Sequence, residues 1–306
     1  MNLHSCINDY LAYCQDQKRL DAKTTRAYRI DLAQFAAAVK VEDVAAITSS
    51  VIEDYITSLH QKYRPKTVKR KIASAKALFR YLEFRDIILT NPFSKVHIKF
   101  REPATLPKTI PLDVVEIFLK EIYDDYHSAT TDYRRRKALQ DIAVCEMLFS
   151  TGMRISELCQ MKCTAIDLNS GKLLIEGKGN KERRLQIGNT DVIHILKEYR
   201  QAHADRIRES GFFFPGPHGT AISDQSVRRM IKKYVSKAAI EMKITPHKFR
   251  HTFASSLLDE GVDIRYIQSM LGHSSISVTE IYTHVSTAKQ KDILANKHPR
   301  KDFDIR

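Results

Sequence analysis

A chain of 306 residues with 50 Lys and Arg against 36 Asp and Glu carries a net charge of +14, which points to a polyanionic partner, nucleic acid before an anionic membrane. Its length suits two hydrophobic cores better than one. No apolar run approaches the roughly 20 residues needed to span a bilayer, MNLHSCINDY lacks the pattern of a signal peptide, and five cysteines without framework spacing fit reduced thiols, so the expectation is a soluble cytoplasmic protein.

The first ninety residues read as four amphipathic helices: Leu3, Ile7, Tyr10, Leu11 and Cys14 keep helical spacing, then Tyr28, Leu32, Phe35 and Val39, then Ile52, Tyr55, Ile56 and Leu59, then Val68, Ile72, Ala75, Phe79 and Leu82. At the start of the fourth helix, KYRPKTVKRKIASAK holds seven basic residues and no acid. Such a run is either a solvated face or a surface for DNA phosphates, with Lys66, Lys69, Arg70 and Lys76 as the backbone-contact candidates. Four prolines between Asn91 and Pro111, with little apolar periodicity, mark a connector. The predicted division is a helical domain over 1–92, a linker over 93–108 and a second domain over 109–306.

In the second domain, LDVVEIFLKEIY and KALQDIAVCEMLFSTGMRISELCQM read as helices, and the polar DDYHSATTDYRRRK between them as an exposed loop. GKLLIEGKGNKERRLQIG places two short extended segments around a Gly-Lys-Gly-Asn turn, a β-hairpin pattern. Helices follow from Asp191 onward, broken at FFFPGPHGTAIS. In TPHKFRHTFASSLLDEG, Thr245 suits the cap, Pro246 the first helical position and Gly261 the stop. Phe249, Phe253 and Leu257 share one stripe, while His247, Arg250 and His251 share another in the first turn, predicted to face away from the core. There the unpaired amides and positive helix end favour an anion.

Other chemistries fit less well. His247 and His251 have zinc-helix spacing, but Lys248 stands where HExxH needs its glutamate, and Cys159 and Cys163 lack a second pair. GKGN is no phosphate-binding P-loop, since GxxxxGK followed by Ser or Thr is absent.

Taken in order, TGMRISEL, EGKGNKERR, HKFRH, LGH and IYTH resemble the catalytic boxes of the tyrosine recombinase (phage integrase) family, and the helical N-terminal region resembles its core-DNA-binding domain. The likeness is closest to the Xer-type subgroup and extends into THVSTAKQKDILANKHPR. It implies a mainly α fold with a small β-hairpin or sheet: a SAM-like core-binding domain followed by an α+β catalytic domain. It further implies a phosphate clamp of Arg154 and Arg250, Lys178 as general acid at the hairpin, His247 as base, His273 as a hydrogen-bond donor to the phosphate, and Tyr282 as nucleophile. The family's spacing from His273 selects Tyr282 over Tyr266. Glu157, one turn after Arg154, is either an orienting partner or a surface ion pair, and His251 a packing or hydrogen-bonding neighbour.

The implied reaction forms a 3′-phosphotyrosine and needs neither ATP nor metal, hence no cofactor. The implied partners are duplex DNA with inverted half-sites and three further copies of the chain, with room for a second recombinase or a DNA-bending or translocase protein, and the tail after Tyr282 is expected to pack on the adjacent protomer. The long loop read into 124–137 departs from Xer-type proteins, which weighs against a plain role in chromosome-dimer resolution and keeps a mobile-element integrase, transposase or invertase open beside it. A type IB topoisomerase and a catalytically silent DNA-binding protein are the alternatives.

Overall fold

A computed structural model describes residues 1–96, 109–177, 182–272 and 287–303. The chain divides into two compact units, Met1–Thr105 and Leu106–Arg306. Residues 97–108, most of the expected linker, lie outside the described residues.

In the first unit, α1 (Leu3–Asp16), α2 (Ala22–Val39), α3 (Ser49–Lys62) and α4 (Pro65–Phe84) follow the four apolar stripes. Asn2, Asp21 and Thr48 cap the first three through side-chain acceptors, and Pro65 opens the fourth, where its missing amide costs nothing. Tyr10, Leu32, Phe35, Ile52, Phe79 and Leu82 form the core, which Phe93 joins from beyond the last helix.

The second unit is built around one helix. After α5 (Leu112–His127), α6 (Asp132–Thr151) is buried at every position from Ala138 to Thr151, so it is packed on all sides rather than amphipathic. Two of its buried polar side chains are tied into the fold: Gln140 donates to the Pro215 carbonyl at 2.9 Å, and Glu146 accepts from Tyr123 at 2.9 Å and Arg300 at 3.0 Å. The exposed loop expected over 124–137 shrinks to Ser128–Thr131. Thr131 caps α6, the Arg136–Asp132 pair at 2.9 Å braces its first turn, and the Arg135 guanidinium lies 5.1 Å from the Tyr126 ring centre. Polarity there marks a solvated helix end, not a loop.

The expected single helix through TGMRISELCQM is broken. Gly152 takes a left-handed conformation at φ +59°, and a β-carbon there would lie 2.6 Å from Phe253, so only glycine fits. The chain restarts as α7 (Ile155–Gln160), then forms a three-stranded antiparallel sheet in the order β1 (Ile166–Asp167), β2 (Lys172–Glu176), β3 (Glu182–Gln186). The hairpin reading found β2 and β3 and missed β1, which is too short to carry a period. Beyond it come α8 (Thr190–Ala202), α9 (Ala204–Ser210), α10 (Asp224–Lys237), α11 (Pro246–Asp259), α12 (Ile264–Leu271) and α13 (Thr287–Asn296).

Ile293 and Leu294 of α13 are buried against this same chain's β3 side, where Gly188 leaves room for the backbone at Leu294–Ala295. The following turn sinks His298 and Arg300 beside α6: His298 contacts the Phe149 carbonyl at 2.9 Å, and Arg300 pairs with Glu146. Among the described residues, no helix is long and apolar enough to cross a membrane.

Candidate active site and DNA-binding helix

α11 begins as expected, with the Thr245 side chain accepting from the Lys248 amide at 3.3 Å, and Phe249, Phe253 and Leu257 buried. His247 and His251 are exposed, but Arg250 corrects the expectation that the trio faces away from the core. It is only 7 % exposed, donating through Nη1 to the Gly152 carbonyl at 2.8 Å and through Nη2 to the Leu271 carbonyl at 2.6 Å. These acceptors lie at the C-terminal ends of α6 and α12, whose negative helix ends offset burial of the cation. Burial first, and repulsion from Arg154 second, push its pKa down to about 10, so it remains charged at neutral pH.

The left-handed turn at Gly152 puts Arg154 at the start of α7, within reach of the same place. Its Nη1 donates to Glu157 Oε1 at 2.9 Å, its backbone amide to Glu157 Oε2 at 2.7 Å, and its Nη2 to the Gly272 carbonyl at 3.4 Å. Glu157 is 8 % exposed. Of the two readings open for Glu157, its burial favours the orienting partner over the surface pair. Burial pushes the Glu157 carboxyl up, but hydrogen bonds from Arg183 and Arg154 outweigh it and hold the carboxyl below its usual range.

Although its side chain reaches solvent, His247 is held below the ordinary imidazole range by partial desolvation first, then by the charges of Arg228, His251, Arg250 and Arg154. It is therefore a neutral acceptor next to a positive cluster, as a base must be. Lys178, His273 and Tyr282 lie outside the described residues. The structure does fix what flanks them: β2 and β3 pair up to Glu176 and Glu182, α12 ends at a left-handed Gly272, and α13 starts at Thr287. Tyr266, the competing nucleophile, is half-buried and packs against the core.

In the first unit, Lys66, Lys69 and Arg70 are exposed on α4, and Lys76 is half-buried, lining a cleft with Tyr13, Lys18, Arg80, Tyr81 and Phe84. The basic run is not wholly available to a ligand. Arg70 pairs with the buried Asp31 of α2, and Lys71, only 3 % exposed, bonds to Asp31 and Gln34.

Known proteins resemble this chain in both of its units. The Phage integrase family model covers residues 119–289, and the model for its N-terminal SAM-like domain covers 7–85. A tyrosine recombinase from Agathobacter rectalis is 58 % identical over 99 % of both chains, and tyrosine recombinase XerC from Oceanobacillus iheyensis is 32 % identical over 96 % of both. The chain belongs to the tyrosine recombinase (phage integrase) family. Recombinases of this family are DNA strand-transferring enzymes, and the fold agrees: the XerH recombinase in a post-cleavage complex with a palindromic difH substrate superposes with a TM-score of 0.71, at 21 % identity over 91 % of this chain and 81 % of that one.

One site residue of this recombinase escaped the sequence reading. Arg183, on β3, donates through Nη1 and Nη2 to the two carboxylate oxygens of Glu157 at 2.9 and 2.8 Å and through Nε to the Met270 carbonyl at 2.8 Å. The signal was present in the alternation. Arg183 lies two residues from buried Leu185 and opposite buried Ile175, on the inward face of the sheet, where a charge needs a partner.

Proposed function

We propose that this chain cuts and rejoins duplex DNA at specific sites through a covalent 3′-phosphotyrosine at Tyr282. The carrying observation is the convergence of Arg154 and Arg250 on the ends of α6 and α12, immediately before the segment that holds His273 and Tyr282. Attack on a phosphodiester builds charge on its nonbridging oxygens, and two fixed guanidiniums stabilise that charge where it develops. Tyr282 begins with a reference pKa of about 10, so it needs a base and a positive surrounding, which His247 and the clamp supply. Its oxygen bonds to phosphorus as the bond to the 5′-oxygen breaks; His247 accepts the phenol proton, Lys178 protonates the departing 5′-oxygen, and His273 donates to the phosphate. The ester retains the bond energy needed for rejoining to another 5′-hydroxyl, so the reaction runs without ATP.

The active unit in this reading is a pair of protomers on inverted half-sites, two pairs forming the synapse in the cytoplasm. The cis position of α13 is the state of a single chain, and exchange of this segment between neighbours would link assembly to placement of Tyr282. Xer-like resolution and mobile-element integration or excision both fit. The long loop that argued against the first is only four residues, so that argument falls.

The test is trapping on nicked duplexes taken from the DNA flanking the gene, followed by denaturation. The wild type should give a DNA-linked band and Tyr282→Phe should give none while still binding. A band that survives in Tyr282→Phe moves the nucleophile elsewhere.

A further inference from the structure

We propose that Arg183 is a positioning residue that cancels the charge of Glu157, so that Arg154 can be held rigidly by a carboxylate and still present positive charge to the scissile phosphate. The proposal rests on the clamp role assigned to Arg154 above.

A carboxylate that orients an arginine by two hydrogen bonds also neutralises it. Glu157 takes both the Nη1 and the backbone amide of Arg154, and alone this pair would carry no net charge toward an incoming anion. Arg183 removes the problem by meeting the same two oxygens from the other side, at 2.9 and 2.8 Å. Each oxygen of Glu157 then accepts from both arginines, and the Arg154–Glu157–Arg183 group keeps one positive charge. The arginine side chains divide the labour by exposure: that of Arg183 is 11 % exposed and that of Arg154 is 37 % exposed. The buried arginine balances the carboxylate, and the accessible one meets the phosphate.

The same side chain ties together the pieces that carry the remaining chemistry. Its Nε holds the Met270 carbonyl, so three successive carbonyls at the end of α12 are each taken by a different arginine: Met270 by Arg183, Leu271 by Arg250 and Gly272 by Arg154. Gly272 is fitted to it, since a β-carbon there would lie 3.0 Å from Arg183 Cδ, besides being strained at φ +63°. Arg183 thus stands between β3, which follows Lys178, and the helix end that precedes His273.

The experiment measures single-turnover formation of the covalent complex on a nicked duplex at saturating protein, with DNA affinity and melting temperature recorded for each variant. Arg183→Gln should slow cleavage by about tenfold or more while affinity stays within about twofold. Adding Glu157→Gln should restore part of that rate, because it removes the charge that Arg183 no longer balances. A purely structural role predicts the reverse, a double variant slower than either single one. Cleavage by Arg183→Gln within twofold of wild type, or no gain in the double variant, overturns the proposal. If Arg183→Gln does not fold, Arg183→Lys decides: it keeps the charge without the fork, so a loss beyond about tenfold in a folded protein overturns charge cancellation and a smaller loss supports it. A wild type that forms no complex, or a Tyr282→Phe protein that does, overturns the assignment of Tyr282 as nucleophile on that duplex and is recognised before any Arg183 variant is compared.

Discussion

His247 shows how a residue that looks merely basic in a sequence acquires surroundings suited to the base proposed for it. The proposed role needs its neutral form, and partial burial with Arg228, His251, Arg250 and Arg154 around it keeps the proton off. The acid limb of the cleavage rate constant against pH should therefore have its midpoint below about 6.5, the ordinary imidazole value. Arg228 is exposed and contributes the largest of the charge effects, so Arg228→Gln should raise the imidazole pKa and move this limb to higher pH. The shift should shrink at high salt. A limb at the same pH in both proteins, measured at low ionic strength, would remove His247 from the role of base. At this scale the sequence named residue types more readily than their surroundings. Arg154 and Arg250 were identified by their boxes, but helical periodicity assigned Arg250 to a solvent face. A 100° step says which residues share a stripe and not whether carbonyl groups from other helices wait to receive a charge. Arg183 was not singled out at all, since one arginine in a short basic segment carries no signal of the carboxylate that meets it.

Among elements, the helices were the legible part, because burial of one stripe imposes a period. α1 to α4 follow their apolar stripes, and α11 begins and ends at the residues that signalled it. What failed was continuity. The break at Gly152 and the short loop before α6 depend on a left-handed turn fitted beneath Phe253 and on a capped, ion-paired first turn. Neither leaves a periodic trace. The C-terminal turn was equally opaque: Arg300, in a basic tail, is 1 % exposed and bonded to Glu146 Oε1 and Oε2 at 3.0 and 3.2 Å. Tyr123 donates to the same carboxylate, so Glu146 is the pivot of a buried network between α5, α6 and the tail. Arg300→Ala would leave that carboxylate with its tyrosine alone, and breaking a buried pair in this way costs about 3–5 kcal/mol. Urea unfolding should show a loss of this size, with earlier proteolytic release of residues 287–303. A loss under about 1 kcal/mol would mean that the tail contributes little to holding α6.

For the whole molecule, a net charge of +14 is an argument about association with DNA rather than about folding. Each phosphate contact releases condensed counterions, so the logarithm of the binding constant should fall linearly with the logarithm of salt concentration, by about 0.9 for each contact on duplex DNA. The structure separates the candidate contacts on α4 by what else they touch. Lys66 is exposed in the first turn, whereas Arg70 is engaged with Asp31, a carboxylate only 1 % exposed that also holds Lys71. Lys66→Ala should therefore lower the salt slope by about one and weaken binding similarly on every sequence, leaving the melting temperature unchanged. Arg70→Ala should do the reverse: it strips one partner from a buried carboxylate, so the first unit melts earlier while the slope changes by less than one. Equal slopes for Lys66→Ala and the wild type, in titrations from 50 to 200 mM salt, would show that the start of α4 is a solvated face and that the charge acts elsewhere on the chain.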